Sequence, residues 1–221
     1  MIEIVLIVVL LSAIFLLGYL GFKISPLFKE KKIEADKKYA LLEDEYIEHD
    51  GVRLYRIEAL RNGKTFDKGE RGGYVQSYKN LSQNGSCWIK DDAKVYGNAQ
   101  ILGEALIKDE ALVYENASIH ENATIRDRGK VYGKAEVYGK AQVYNHARVF
   151  EEANIYGNAR IYQKSAVHGK ARVYGDAKVY MSADVYGEAH LGSGADIKGD
   201  AQVYGTAKIE NRTLLSGEVS E

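Results

Sequence analysis

The sequence predicts an all-β solenoid preceded by one transmembrane α-helix and a short helical stalk, and three observations predict it. From Ala93 to Ile209 the pattern Ala-x-(Val/Ile)-Tyr-Gly-x recurs every six residues without insertion or deletion. Stepping by six from Ala93, the small position is alanine at each of its twenty occurrences through Ala207 except Gly129 and Ser165. Two residues further on, from Val95 to Ile209, the branched position is Val or Ile everywhere except Leu191. A strict short period marks a repeat architecture. Positions two apart lie about 200° apart around a helix axis but on one face of a strand, so each hexad reads as a three-residue strand, in-out-in, followed by a corner. Strands this short do not stand alone as hairpins. A chain that turns the same way after each of them becomes a prism whose coils hydrogen-bond to their neighbours, which is a parallel β-helix.

The N-terminal element is an expected membrane anchor, residues 1–23. From Ile4 to Phe22 there are nineteen residues without a charge, about what a hydrocarbon core of ~30 Å requires. Glu3 stands where a cleaved signal peptide would carry Lys or Arg, and no small-x-small cleavage site follows. Lys23, Lys29, Lys31 and Lys32 flank the C-terminal side, which by the positive-inside rule directs the repeats to the cytoplasm. The membrane, through residues 4–22, is thus the first expected partner.

Residues 24–46 are expected to form a charged helical stalk. After the breaker Pro26, residues 29–48 read as helix, with Ala35, Tyr39, Leu42 and Tyr46 on one stripe. The stripe is too short for a coiled coil, which favours a solvated stalk over a partner-binding one. Residues 47–86 are expected to cap the solenoid. Asp50-Gly51 between two β-prone runs is a strong hairpin signal, and a solenoid needs an atypical element over its first coil because the strand edge there is unpaired. Residues 87–215 are the repeats, with Thr213 and Leu215 still in phase, and 216–221 a C-terminal tail. That end looks thinly capped and invites end-on pairing with a second copy, opposed by the charges of Glu210, Arg212, Glu218 and Glu221.

The corner after the aromatic is often Gly, or Asp and Asn such as Asp109, Asp127 and Asn145, types that tolerate positive φ. Glu115, Glu121, Glu151, Gln163 and Met181 break that preference, so the corner does not demand glycine. Cys87 falls on the small inward position and Ile89 on the branched one, so Cys87 reads as buried filler, and Trp88 between them faces out or lies under the cap. A lone cysteine excludes a disulfide framework. The formal net charge of −1, with Lys and Arg alternating with Asp and Glu along the repeats, excludes a basic nucleic-acid-binding face.

The hexads match [LIV]-x-x-x-[STAV]-x and so resemble left-handed parallel β-helices, a resemblance that implies the left hand and three hexads, eighteen residues, per coil. A narrower set of motifs, Val95-Tyr-Gly-Asn-Ala99 with Gly72-Gly73-Tyr74-Val75, Asn80-Leu81-Ser82 and Cys87-Trp88-Ile89, resembles the YdcK-like proteins over roughly residues 52–210. With eighteen residues per coil, one column reads Tyr96, Tyr114, Tyr132, Phe150, His168, Tyr186, Tyr204, and others carry Tyr138, Tyr156, Tyr174 and Tyr144, Tyr162, Tyr180. The first column is the candidate binding surface, for sugar rings or for a second prism. The alternative is that the rings stack and stabilise the coils, and tyrosine on all three edges favours it. The column Asp109, Asp127, Asn145, Gln163 supplies oxygens on successive coils that a Ca²⁺ ion would accept. Lys108 and Arg126 beside the aspartates argue against it, so no metal is assigned.

Many left-handed β-helix proteins are acyltransferases, and the resemblance implies for such an enzyme a trimer, an acyl-coenzyme A groove between prisms, a histidine base and a loop interrupting the hexads. Here no loop interrupts them, and His120, His146, His168 and His190 occupy four different settings. No catalytic residue and no cofactor is assigned. The expected function is a membrane-anchored, cytoplasm-facing scaffold or interaction module with a protein partner or self-association. A hexapeptide-repeat acyltransferase near the membrane is the alternative, and a glycan-binding module would require the opposite orientation of the anchor.

Overall fold

The computed structural model describes residues 37–221. From Val75 onward the chain winds into a parallel β-solenoid whose three faces belong to sheets of 11, 8 and 7 strands. Each hexad contributes a short strand to one face, and the chain returns to the same face after three. Val131 pairs with Val149, Ile125 with Val143 and Val137 with Ile155, each eighteen residues apart. The coil is therefore three hexads, as the resemblance implied. Each coil donates to carbonyls of the next, as in Lys94 N–H to Ala111 O (2.9 Å) and Tyr96 N–H to Val113 O (3.1 Å).

The Val/Ile column and the Ala column of every face point inward and are fully buried along almost the whole length. Alanine, not a larger residue, follows from the geometry. Three strands meet at corners so tight that one of the two inward residues must be small. Where alanine is absent the reason is local. A Cβ on Gly129 would sit 2.8 Å from the Val143 carbonyl oxygen. The Ser165 hydroxyl fits because it has backbone acceptors on two sides, Tyr162 O in its own turn at 2.9 Å and Val179 O of the following coil at 3.1 Å.

The first coil is looser than the rest. Val75 pairs with Val95 and Leu81 bridges Ile101, each twenty residues on, because Leu81 to Ile89 takes two residues more than a hexad. The cap is an antiparallel meander of β1 (Tyr39–His49), β2 (Val52–Ala59) and β3 (Arg71–Val75), the last of which joins the parallel first face. Asp50-Gly51 makes the expected hairpin, with positive φ at both residues (51° and 75°). Gly72 and Gly73 let β3 sit directly on the first coil, since a Cβ would lie 2.6 Å from Ile89 O at Gly72 and 2.5 Å from Ala93 O at Gly73. Trp88 lies under the cap, fully buried, stacked on Phe66 (4.2 Å between centroids) and edge-on to Tyr39.

Two expectations are corrected. The predicted stalk does not continue as helix to residue 46, because β1 begins at Tyr39 and the hairpin is longer at its outer end than the turn alone suggested. The register jumps between Leu42 and Tyr46, leaving Glu43–Glu45 as a bulge. That bulge breaks the period-two alternation and spaces Tyr39, Leu42 and Tyr46 as though on a helix. Burial then overrides local propensity: Tyr39 is fully buried and its hydroxyl donates to Leu81 O at 2.7 Å. At the other end Leu215 is not in phase. Leu214 pairs with Ile197, and Val219 with Val203, so the last two steps are five residues long and Leu215 is 58% exposed. Within the expected tail, Glu218–Ser220 forms one more strand of the first face.

The predicted transmembrane helix at residues 4–22, and the stalk as far as residue 36, lie outside the described residues. Among the described residues no helix is long and apolar enough to cross a membrane.

Candidate functional site: the aromatic ladders

Because the aromatic follows an inward Val or Ile, its side chain must leave the prism at the corner, and coil stacking brings each ring against the one eighteen residues away. The whole first column does this. Tyr96, Tyr114, Tyr132, Phe150, His168, Tyr186 and Tyr204 form one continuous stack, with centroids 4.6–5.2 Å apart and planes within 15° of parallel. Such spacing is within the favourable range for aromatic pairs. The second column stacks His120, Tyr138, Tyr156 and Tyr174, and the third Tyr144, Tyr162 and Tyr180.

Each ladder ends on a polar group. His49 of the cap meets Tyr96 edge-on (5.5 Å), and the Tyr204 hydroxyl donates to Glu218 at 2.9 Å. In the third column the Arg126 guanidinium lies 4.0 Å over Tyr144 and the Lys198 ammonium 5.8 Å from the Tyr180 centroid, so a cation faces each outer ring surface. In the second, Gly192 leaves a gap above Tyr174. Glu210 fills it, accepting from the Tyr174 hydroxyl at 3.3 Å.

Rings inside a ladder therefore have neighbours on both faces, and a ligand moving along the column meets edges and hydroxyls. Burial pushes the hydroxyl pKa values up, to about 12 at Tyr114 and Tyr162. Tyr96 is raised further, by burial first and then by its hydrogen bond to Asp50. Tyr96, Tyr114 and Tyr162 therefore keep their hydroxyl protons across the physiological range.

The corner beyond each aromatic carries a feature that the sequence reading missed. The corner residue adopts positive φ, including Asp91, Asp109, Glu115, Glu121, Asp127, Asn145, Glu151, Gln163 and Met181, at 56–61°. Where the corner one coil earlier carries a carboxylate or Gln163, that side chain meets its amide. Asp91 accepts from Asp109 N–H, Asp109 from Asp127, Asp127 from Asn145, and Gln163 from Met181. On other edges Glu115 accepts from Gly133, Glu121 from Gly139 and Glu151 from Gly169, at 2.8–3.0 Å. At Asp109, Asp127, Asn145 and Met181 the bonded amide belongs to a non-glycine residue in the left-handed region, and the bond offsets part of its strain. The signal was visible: Asp, Glu and Gln recur where glycine was expected. It also accounts for the column considered for Ca²⁺, whose aspartate oxygens accept backbone amides and, at Asp127, the Arg126 guanidinium at 3.0 Å.

The four repeat histidines are not brought together. His120 begins the second ladder, His146 is exposed at a corner, and His190 lies on a flat face between Arg172 and Lys208. His168 stacks between Phe150 and Tyr186, with Asp184 at 3.2 Å and Glu151 at 3.8 Å. Cys87 is buried in the small column as expected.

Residues 153–169 match the family model of the YdcK β-solenoid repeat, and they fall within the regular coils. Among curated proteins none matches the chain. The chain is thus a β-solenoid repeat protein with a segment similar to the YdcK repeat.

Proposed function

We propose that this protein is a rigid, non-enzymatic scaffold, wound left-handed, which a helix at residues 4–22 holds at the cytoplasmic face of a membrane to present the solenoid to a protein partner or to a second copy. The observation that carries the reading is how the recurring polar and aromatic side chains are used. Corner carboxylates are turned along the prism to amides of the next coil, and ring faces are turned to other rings. Both features stiffen the rod. Its eight-stranded second face at about 4.8 Å per strand gives a length of roughly 35–40 Å. The anchor and its orientation rest on the apolar run and the lysines that follow it, and the left hand on the hexapeptide resemblance.

The test is the mass and shape of the full-length chain in detergent, by light scattering and negative-stain imaging, with and without coenzyme A. Monomers or end-to-end rods whose melting temperature ignores coenzyme A support the scaffold. A compact trimer stabilised by coenzyme A would overturn it in favour of an acyltransferase.

A further inference from the structure

Lys38, the residue before β1, and Cys87, in the small column of the first coil, are both fully buried. The Lys38 Nζ lies 2.9 Å from Cys87 O and 3.2 Å from Cys87 Sγ. Among the described residues no carboxylate pairs with this lysine. A buried ammonium without a counter-charge is costly, and burial does lower the lysine pKa. Burial thus shifts the balance toward the free amine, and the nitrogen that donates to the sulfur is already at contact distance from it. The sulfur is otherwise ringed by the carbonyl oxygens of Ile101, Asn84 and Ser82, at 3.5–3.9 Å.

From this geometry we infer that Lys38 and Cys87 form an oxidative cross-link, a sulfenamide between the lysine nitrogen and the cysteine sulfur, when a peroxide reaches the thiol. The sulfur attacks the O–O bond of hydrogen peroxide, giving a sulfenic acid and water. The amine then attacks the sulfur. The S–N bond forms as the S–O bond breaks, and the departing hydroxide takes a proton from nitrogen and leaves as water. In sum, one thiol, one amine and one hydrogen peroxide give the sulfenamide and two waters. Held at contact distance, the amine has the advantage of an intramolecular nucleophile over a second peroxide, which would have to enter a closed interior. Entry of the first peroxide requires local opening of the cap, so the reaction reports how often the start of β1 lifts off the first coil. The bond fastens that strand to the coil, and a small thiol reverses it by attack on sulfur.

The test treats the full-length chain with hydrogen peroxide under native conditions and digests it without reductant. The expected product is a linked peptide pair containing Lys38 and Cys87, lighter than the sum of its parts by two hydrogens and separated by dithiothreitol. The melting temperature should rise by on the order of several degrees, because the bond closes the loop between the two residues, and should fall back on reduction. Lys38→Arg keeps an N–H donor beside Cys87 but offers no comparable nucleophile, and should carry Cys87 on to higher oxides. The linked pair in the wild-type chain decides the matter even where this variant folds poorly. Oxidation of Cys87 with the peptides unlinked, or no reaction at Cys87 under conditions that oxidise the chain's methionines, would overturn the inference.

Discussion

The cap and the coils solve the same problem by opposite means. Both must bury a thin core and satisfy every corner, but in the cap each contact occurs once. Trp88 stacks on Phe66, the Tyr39 hydroxyl reaches Leu81 O, and Arg56 alone ties Gly72 O, Asp91 O, Asp92 and the Tyr74 hydroxyl together. In the coils one contact set recurs at every step, so a defect has equivalent neighbours above and below. Uniqueness concentrates stability in a few side chains, whereas repetition spreads it.

The largest effect is expected where contacts are unique. Trp88→Ala should cost about 3–5 kcal/mol, because its indole fills the space between the cap and the first coil and no neighbouring ring can take its place. Chemical denaturation should show the loss, with a lower denaturant slope if the cap detaches while the coils persist. Val137→Ala, on an interior strand of the third face, should cost about 2 kcal/mol by transfer and cavity terms with the slope unchanged. Equal losses at the two sites would erase the distinction between cap and coils.

That distinction also sets what the sequence reveals. The coils were legible because each position is tested again six and eighteen residues later: the inward columns, the corners and the three ladders follow from counting. Tyr39–Tyr46 was not legible, because the bulge at Glu43–Glu45 gives a strand the spacing of a helix and only burial against Trp88 and Leu81 decides between them. Leu215 misled for the converse reason. Periodicity extrapolates, and two five-residue steps at the end carry no mark that counting detects. The Lys38–Cys87 contact joins residues far apart in sequence, and no local pattern announces it. The corner carboxylates lie between these cases: their recurrence was plain, but their acceptor role needed the coil above.

The ladders sharpen the comparison at the next scale. Tyr132→Ala removes a ring with neighbours on both sides and should cost about 1–2 kcal/mol, while Tyr132→Phe keeps the stack and should change stability by less than about 0.5 kcal/mol. A loss of similar size for both would assign the stabilisation to the hydroxyl. The hydroxyls act instead through pH. In the folded chain Tyr114 and Tyr162 titrate at about 12, against about 10 when unfolded. The folded state thus holds these protons more tightly, so their contribution is complete below pH ~10 and is lost as pH rises from there through about 12. Melting temperatures measured from pH 9 upward should fall more steeply for the wild type than for Tyr114→Phe/Tyr162→Phe. Parallel curves would mean that the ladder tyrosines ionise alike in both states.

The smallest effect tests whether repetition is itself the stabilising rule. Met181 occupies a left-handed corner at φ 61° yet has no oxygen to offer the amide of Gly199, the corner one coil further on. Gln163, one coil earlier, does meet the Met181 amide, at 2.7 Å. Replacing Met181 with Glu leaves the backbone conformation and its strain as they are and adds the acceptor that Glu115, Glu121 and Glu151 provide on other edges. The net value of a hydrogen bond to a charged group is about 1.5–3 kcal/mol, and solvent at this exposed corner reduces the expected gain to about 1 kcal/mol. Met181→Gln should recover a smaller part of it and Met181→Leu none. If Met181→Glu gains nothing while Glu115→Ala costs about 1 kcal/mol, the Glu115 contact derives its value from its own surroundings, and the corner ladder is then a set of separate solutions that happen to repeat.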